Sequence, residues 1–249
     1  MLQQPTNRRT FLGVALLAAA ISLPGRTAMA AKNSTRHVVL LGDSVFDHST
    51  YVSGGPDVAQ QLRERLPPGS RVTLAASDGT VTPRVKPQLQ SFAADATHVV
   101  VSMGGNDALR HSSMLDENAS SVSEVLDKLA GAREKFERDY RAMLDGVMRL
   151  GVPTAVCTIY DARFSDPKQR LLASVGLTVF NECVTREAAA RGIVLIDLRL
   201  ICNAEGDIAN AIEPSVFGGA KIANVIAQFA SEYHSRRRRS DVFSQAGNR

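Results

Sequence analysis

Five short apolar runs, rich in β-branched residues, alternate with longer amphipathic segments along most of the chain. Each run is continuously apolar, whereas a strand with one face in water alternates apolar and polar residues. Continuous apolarity is therefore typical of strands covered on both faces in a parallel sheet. The runs span residues 37–41, 72–76, 98–103, 154–159 and 193–198.

Apolar residues recur at helical spacing in the segments between these runs. One segment carries Val58, Leu62 and Leu66 and is ended by Pro67. Three further stripes lie at residues 136–150, 172–183 and 222–229. Strands and helices that alternate in this way predict an α/β fold, in which a five-stranded parallel sheet is doubly wound through right-handed crossovers.

The first 30 residues are typical of an export signal. Arg8-Arg9 precede an apolar run over residues 11–23, and Ala28-Met29-Ala30 supplies a small-x-small cleavage site. The alternative is a retained membrane anchor, but the run is shorter than the roughly 20 residues that span a bilayer. We therefore predict a cleaved twin-arginine-type signal peptide at residues 1–30, a periplasmic or secreted protein, and no stable membrane insertion after cleavage.

The net positive charge of the chain comes mainly from its two ends. The formal net charge is +4, and the signal segment supplies three arginines and no acid. Four more arginines, Arg236 to Arg239, crowd the C-terminus. A basic run can bind nucleic acid, but at a chain end it is more typical of a solvated tail. We predict a domain over residues 31–233, a basic disordered tail over 234–249, and no nucleic-acid partner.

The sequence carries no pattern that indicates a metal or an organic cofactor. Cys157, Cys183 and Cys202 fit no metal-binding spacing, and they leave open whether one disulfide forms. No Gly-x-Gly-x-x-Gly follows the first apolar run, which disfavours a nucleotide-binding protein. We expect neither cofactor nor metal.

Unusual residues follow three of the predicted strands. Ser44 lies in Gly42-Asp43-Ser44 after the first, Gly79 in Ser77-Asp78-Gly79-Thr80 after the second, and Asn106 in Gly104-Gly105-Asn106-Asp107 after the third. The carboxyl ends of parallel strands share one edge of a sheet, where ligands bind. A hydroxyl nucleophile beside a free backbone amide and a side-chain amide suits acyl transfer.

These three blocks, in this order, resemble the SGNH/GDSL hydrolase family over residues 36–232. The resemblance implies a single three-layer, flavodoxin-like domain. It also implies hydrolysis of ester or acetyl groups of lipids, acylated carbohydrates or small molecules through an acyl-enzyme on Ser44. The oxyanion hole would consist of the Ser44 and Gly79 amides and the Asn106 side chain.

The last block of that family, Asp-x-x-His followed by proline, is altered here. Asn210 stands at the aspartate position and Glu213 at the histidine position, followed by Pro214. Serine needs a neighbour that accepts its proton, and a buried carboxylate with a raised pKa can do so. Glu213 is thus a candidate base with Asn210 as its orienter, and Asp207 is a second candidate. Glu213 could equally be a surface carboxylate at the start of the last helix.

The histidines offer further candidates for a base. His48 and His111 follow the Ser44 and Asn106 loops, and we expect both to be surface loop residues. His37 and His98 begin predicted strands at the opposite edge, and His234 lies at the end of the last helix.

Two hypotheses from different functional classes follow from the altered block. The first is an ester hydrolase that uses Ser44 and Glu213. The second is a catalytically impaired ligand-binding protein that keeps the scaffold but lacks the usual histidine base.

Overall fold

The computed structural model describes residues 35–234 and 240–244. The predicted signal peptide and the arginines of the C-terminal tail lie outside the described residues. Among the helices of the described part, none combines the length and the apolar character needed to cross a bilayer.

The centre of the fold is one parallel sheet in the order β2-β1-β3-β4-β5-β6. Its strands are β1 His37–Gly42, β2 Arg71–Leu74, β3 His98–Ser102, β4 Thr154–Cys157, β5 Val194–Ile196 and β6 Val242–Phe243. The predicted α/β fold and the five predicted strands are confirmed. The predicted number of strands is wrong, because the sheet has six.

The sixth strand is short and lies in the segment that we expected to be disordered. Val242 and Phe243 pair with Leu195 and Ile196 of β5, and the Phe243 ring packs against the Tyr233 ring with their centroids 5.9 Å apart. Two apolar residues among polar neighbours are too few to show the periodicity of a strand in the sequence. This strand depends instead on its pairing with the edge of β5 and on the contact between Phe243 and Tyr233.

Helices cover both faces of the sheet. They are α1 Val58–Arg65, α2 Lys86–Gln90, α3 Gly105–Leu109, α4 Val122–Met148, α5 Pro167–Arg191, α6 Leu198–Ile201 and α7 Val216–Glu232. Short 3₁₀ turns occupy Ser49–Tyr51, Thr82–Arg84, Ser112–Leu115 and Glu205–Asp207.

Two hydrophobic cores separate the three layers. Successive residues of β1 point to opposite faces, as the pleat of a strand requires. Val38 and Leu40 pack with α1 and α7, whereas Val39 and Leu41 pack with α4 and α5. The apolar runs found in the sequence are therefore buried from both sides.

Candidate active site

Ser44 lies in a tight turn directly after β1. Gly42 has φ +139°, and a β-carbon there would lie 2.0 Å from the carbonyl oxygen of Ser102, so only glycine fits. The buried Gln88 amide holds this turn from the other side. It donates to the Gly42 carbonyl oxygen and accepts from the Gly42 N–H, each at 2.8 Å. The Ser44 side chain therefore starts from a backbone position that two independent contacts fix.

The strand order places Ser44 at the point where the chain direction across the sheet reverses. β1 has β2 on one side and β3 on the other, so the connections after β1 and β3 diverge to opposite faces. Ligands bind at such switch points in open α/β sheets, outside the carboxyl ends of the strands. Ser44 follows β1 and Asn106 follows β3, so the two predicted site residues meet at this crevice.

Asn106 lies in the first turn of α3, and its side chain is anchored. Gly104, just before the helix, has φ +120°, and a β-carbon there would lie 3.0 Å from Phe136 and Ile159. The Asn106 Nδ2 atom donates to the carbonyl oxygen of Thr80 at 3.2 Å. An amide nitrogen carries two hydrogens, so one remains for a ligand.

The Gly79 loop lies beside the Ser44 turn. The Ser77 N–H donates to the Gly42 carbonyl oxygen at 3.1 Å, and the Asp78 N–H donates to Asp47 Oδ2 at 3.0 Å. Gly79 itself is exposed, with φ +71°. It is not among the residues that line the cavity described below, so it belongs to the rim of the site.

Two backbone N–H groups at this edge have no acceptor within the part of the chain that the structure describes. Among the hydrogen bonds of the described residues, neither the Ser44 nor the Gly79 N–H donates to any oxygen. The N–H groups of their neighbours Val45, Phe46, Asp78 and Thr80 are all bonded. An unbonded N–H beside a serine hydroxyl is the kind of donor that binds a developing oxyanion.

The Glu213 carboxyl lies in the same cavity as Ser44, and Glu213 is only 5% exposed. Burial raises the pKa of this carboxyl to about 7, the Ser44 hydroxyl lowers it as a hydrogen-bond donor, and the Asp78 carboxylate raises it. Within the described residues, the buried Oε2 atom of Glu213 has no hydrogen-bond partner. Catalytic hydrogen bonds are often long or poorly aligned before a substrate closes the site.

Asn210 acts on the backbone that carries Glu213. Its Oδ1 atom accepts from the N–H groups of Ile212 at 2.7 Å and Glu213 at 2.9 Å. Asn210 is exposed and does not line the cavity. From the other side, the Tyr160 hydroxyl donates to the Ile212 carbonyl oxygen at 2.6 Å. The turn before Pro214 is thus held on both sides, and Asn210 contacts the main chain that carries Glu213.

A second buried carboxyl, that of Asp43, adjoins Ser44. Burial raises its pKa to about 8, the hydrogen bond from the Val45 N–H opposes this shift, and the negative charges of Glu213 and Asp107 add to it. The distance from the Val45 nitrogen to Asp43 Oδ1 is 3.2 Å. Asp43 therefore carries a proton at neutral pH. The sequence alone did not single out this residue, because Gly-Asp-Ser is also an ordinary turn sequence.

Asp207 and His48 occupy positions that differ from the ones expected. Asp207 is buried and bound to Lys221 Nζ at 2.7 Å and to the Ala204 N–H at 2.9 Å, outside the cavity lining. It holds the segment before α7 instead of serving as a free base. His48 is fully buried beside Gly219 of α7, so the expectation of a surface loop residue is wrong. It does not line the cavity either.

The other histidines divide between the two edges of the sheet. His111 lines the cavity, and its ring lies 6.2 Å from that of Phe180, so it is closer to the site than a surface loop residue would be. His37 and His98 begin β1 and β3 at the opposite edge, as expected. His234 contacts Arg36 at 2.9 Å.

A cavity of about 550 Å³ adjoins Ser44 and Glu213 and extends between α3, α4 and α5. Most of its lining is apolar. Within the described residues, no group of three or more His, Cys, Asp or Glu side chains is arranged to hold a metal ion. Cys157, Cys183 and Cys202 are all buried free thiols. Local sequence patterns do not predict such a cavity, because segments that are far apart in the chain form its walls.

Three solved structures share this fold at low sequence identity. The extracellular lipase of Streptomyces rimosus is 21% identical, with a TM-score of 0.55, and the match covers 78% of this chain and 99% of the lipase. Phospholipase A1 from Streptomyces albidoflavus is 16% identical, with a TM-score of 0.60, and the match covers 79% of this chain and 100% of that one. A lipase from a goat rumen metagenome is 16% identical, with a TM-score of 0.61, covering 81% and 99%.

At these identities the structural matches establish the fold alone. No curated protein sequence is significantly similar to the chain. The sequence profile of the GDSL-like lipase/acylhydrolase family matches residues 40–215. That range includes the Ser44, Gly79 and Asn106 loops together with the altered Asn210 and Glu213 block. The chain therefore belongs to the GDSL-like lipase/acylhydrolase family.

Proposed function

We propose that the protein is an ester hydrolase in which Ser44 forms an acyl-enzyme and Glu213 acts as general base. The observation that carries this proposal is the pairing of a serine hydroxyl with a buried carboxyl whose pKa is raised to about 7 in one cavity. A base with a pKa near the working pH is the most effective acceptor for a serine proton. Glu213 would thus replace the histidine that the family usually carries.

The reaction follows from the positions of these groups. Ser44 Oγ attacks the ester carbonyl carbon while its proton passes to Glu213, and the C–O bond to the alcohol then breaks as Glu213 returns that proton to the leaving oxygen. A water molecule next attacks the acyl-enzyme, giving up a proton to Glu213. The carboxylic acid leaves and the proton returns to Ser44 Oγ. No step requires a metal or an organic cofactor.

The negative charge on the carbonyl oxygen in both steps needs donors that are already in place. The unbonded N–H groups of Ser44 and Gly79 and the second Nδ2 hydrogen of Asn106 supply three candidates. Each such donor contributes about 10²–10³ in rate in enzymes where it has been removed. Asn210 holds the turn that presents Glu213 and is a positioning residue.

Reaction with a fluorophosphonate probe tests the nucleophile. The native protein should label, Ser44→Ala should abolish labelling, and Glu213→Gln should slow it about 100-fold, the effect expected on losing a general base. Ser231→Ala, on the far end of α7, is the matched control and should label like the native chain. Absence of labelling in the folded native protein would contradict the proposal.

The altered block itself favours a second function, a ligand-binding protein that no longer turns over its substrate. The double variant Asn210→Asp with Glu213→His restores the usual pattern of the family. Turnover that appears only in this variant would favour the binding function. Turnover in the native chain that Glu213→Gln removes would favour the hydrolase.

The proposed substrates rest on the family, and the proposed location rests on the predicted signal peptide at residues 1–30. We propose carboxylic esters of lipids, acylated carbohydrates or small molecules as substrates, and export through the twin-arginine-type signal. Ala31 should then be the N-terminal residue of the mature protein, which N-terminal sequencing of the exported fraction would show. A mature protein that retains residues 1–30 would contradict the cleavage.

A further inference from the structure

The unbonded N–H of Gly79 lies on an exposed loop, residues 77–80, which is called the Gly79 loop below. Ser77, Asp78 and Gly79 are all exposed, and a β-carbon built at Gly79 would meet no heavy atom within 4 Å. A donor that stabilises a developing oxyanion has to be in position before the reaction begins. Because packing around Gly79 contributes little, the hydrogen bonds of the loop have to hold it in place.

Asp47 connects this loop to the turn that carries Ser44. The Asp47 N–H donates to the Asp43 carbonyl oxygen at 3.2 Å, so Asp47 belongs to the turn that contains Ser44. The Oδ2 atom of Asp47 accepts from the Asp78 N–H at 3.0 Å. The residue directly before Gly79 is thus bound to the segment that presents the nucleophile.

Tyr51 makes a second contact with the loop, from the 3₁₀ turn Ser49–Tyr51. Its hydroxyl donates to Asp78 Oδ2 at 2.7 Å, and its N–H donates to the His48 carbonyl oxygen at 2.9 Å. The hydrogen bond to Asp78, more than burial and the nearby carboxylates, raises the pKa of Tyr51 to about 12. The hydroxyl therefore keeps its proton at neutral pH and remains a donor to the loop.

The loop is held on its other side as well. Thr80 follows Gly79, and its carbonyl oxygen accepts from Asn106 Nδ2 at 3.2 Å. Gly79 thus lies between one neighbour that is bound to Asn106 and another that is bound to Asp47 and Tyr51. Among the hydrogen bonds of the described residues, the Gly79 N–H is the only one in this loop without an acceptor.

Resting on the proposed ester hydrolysis, we propose that Asp47 and Tyr51 are positioning residues, which hold the Gly79 loop so that its unbonded N–H faces the oxyanion formed at Ser44. Neither residue belongs to the sequence blocks that indicate the family, and neither lines the cavity. Both act through Asp78, to which both are hydrogen-bonded. Loss of either contact leaves the nucleophile and the base in place but releases the loop.

Steady-state kinetics of two Asp47 variants with p-nitrophenyl acetate test this role. Asp47→Ala removes the acceptor and should lower kcat about tenfold, less than the roughly 10²–10³ that follows complete loss of an oxyanion donor. KM should change less than about twofold, because the contact acts on the oxyanion and not on the bound ester. Asp47→Asn keeps an acceptor oxygen and should retain roughly half of the native kcat or more. Equal losses in the two variants overturn the role of the contact.

Tyr51→Phe removes the hydroxyl and keeps the ring. Its kcat should fall about fivefold, the effect of one net hydrogen bond. Thr50→Ala changes an exposed neighbour on the same 3₁₀ turn and is the matched control, which should keep the native kcat. If Asp47→Ala does not fold, Tyr51→Phe decides, and a native kcat in that variant overturns the proposal.

A double variant shows whether Tyr51 acts through the loop. Asp78→Ala removes the oxygen that accepts from Tyr51, so adding Tyr51→Phe to it should slow the reaction no further. Additive losses would show that the Tyr51 hydroxyl acts elsewhere and overturn its role. In a chain that reacts with the fluorophosphonate but turns over no ester, the rate of labelling replaces kcat in all these comparisons.

Amide hydrogen exchange of Asp78, followed by NMR, separates this inference from the proposed activity. Asp47→Ala should speed the exchange at least about fivefold, because the N–H loses its acceptor, and Asp47→Asn should stay near the native rate. Unchanged exchange in Asp47→Ala overturns the inference whether or not an ester is hydrolysed. Faster exchange with a native kcat overturns it while ester hydrolysis stands. A native protein that neither hydrolyses an ester nor labels overturns the proposed function and the positioning role together.

Discussion

The amide oxygen of Asn210 accepts a hydrogen bond from the backbone N–H of Glu213 at 2.9 Å. Asn210 is exposed and does not line the cavity, yet it holds the turn that carries Glu213, whose side chain does line the cavity. In the usual family pattern an aspartate at this position precedes a histidine. In this chain Asn210 and Glu213 keep the spacing of that pair, but an amide replaces the carboxylate and a carboxyl replaces the imidazole.

Replacing Asn210 should impair the turn more than the fold. Asn210→Ala removes both acceptor contacts, and we expect kcat to fall about tenfold, since a misplaced base costs rate although it is still present. KM should change little, because Asn210 lies outside the cavity. Asn210→Asp keeps an acceptor oxygen and should retain most of the rate. Equal losses in the two variants, measured by steady-state kinetics, would contradict this role.

Activity should rise with pH through about 7. Glu213 accepts a proton only when it is ionised, and burial holds its pKa at about 7. Below that pH the carboxyl is protonated and the rate should fall tenfold per pH unit, whereas above it the rate should level off. The measurement is kcat/KM from pH 5 to 9 with an uncharged ester. Glu213→Gln should lose the inflection, and an unchanged inflection in that variant would rule Glu213 out as its source.

Asp43 should make the fold less stable as pH rises. Burial raises its pKa to about 8 in the folded protein, against an ordinary value near 4 in the unfolded chain. Between these values the folded state holds a proton that the unfolded state has released, so the contribution of Asp43 to stability is greatest below pH 4 and is lost towards pH 8. Asp43→Asn removes this dependence and should raise Tm at pH 9 by about 5 °C or more relative to the native chain.

The control for Asp43 is the same comparison at pH 5, where the difference in Tm should be smaller. Thermal unfolding followed by circular dichroism measures both. Parallel Tm-against-pH curves for the native protein and Asp43→Asn would show that the carboxyl does not keep its proton.

Replacing Gln88 should lower the free energy of unfolding, because its side chain holds the turn that carries Ser44. Gln88→Ala removes the acceptor of the buried Gly42 N–H and one of the two donors to the Gly42 carbonyl oxygen, which keeps the hydrogen bond from the Ser77 N–H. This change should cost about 1–3 kcal/mol in the free energy of unfolding. Gln88→Glu keeps the acceptor and loses the donor, so it also should destabilise the protein. Ser91→Ala, one turn away, is the control. Urea unfolding that gives equal midpoints for Gln88→Ala and the control would contradict this account.

Local pattern was enough to predict the sheet, but not its edge. The runs that form β1, β3 and β4 are apolar at most positions and do not alternate with polar residues, so the sequence predicts their burial on both faces. β6 has two residues and depends on the edge of β5 and the ring of Tyr233, contacts that no local pattern encodes.

The sequence predicts the positions of site residues that directly follow a strand, but not the positions that depend on how helices pack. Ser44 and Asn106 come together because they follow β1 and β3. The burial of His48 and the bond between Asp207 and Lys221 depend instead on how α7 packs, which spacing does not reveal. The cavity escapes prediction for the same reason, because α4 and α5 are adjacent in space but their cavity-lining residues are widely separated in sequence.

The reactivity of the three buried thiols reports how often the folded domain opens. Burial raises the pKa of Cys157 well above its usual range and that of Cys202 to about 12, so neither presents a reactive thiolate in the folded state. An alkylating reagent can modify them only after the core has opened. The rate at which the reagent modifies all three therefore measures how often the whole domain opens, and no cysteine has to be introduced for the experiment.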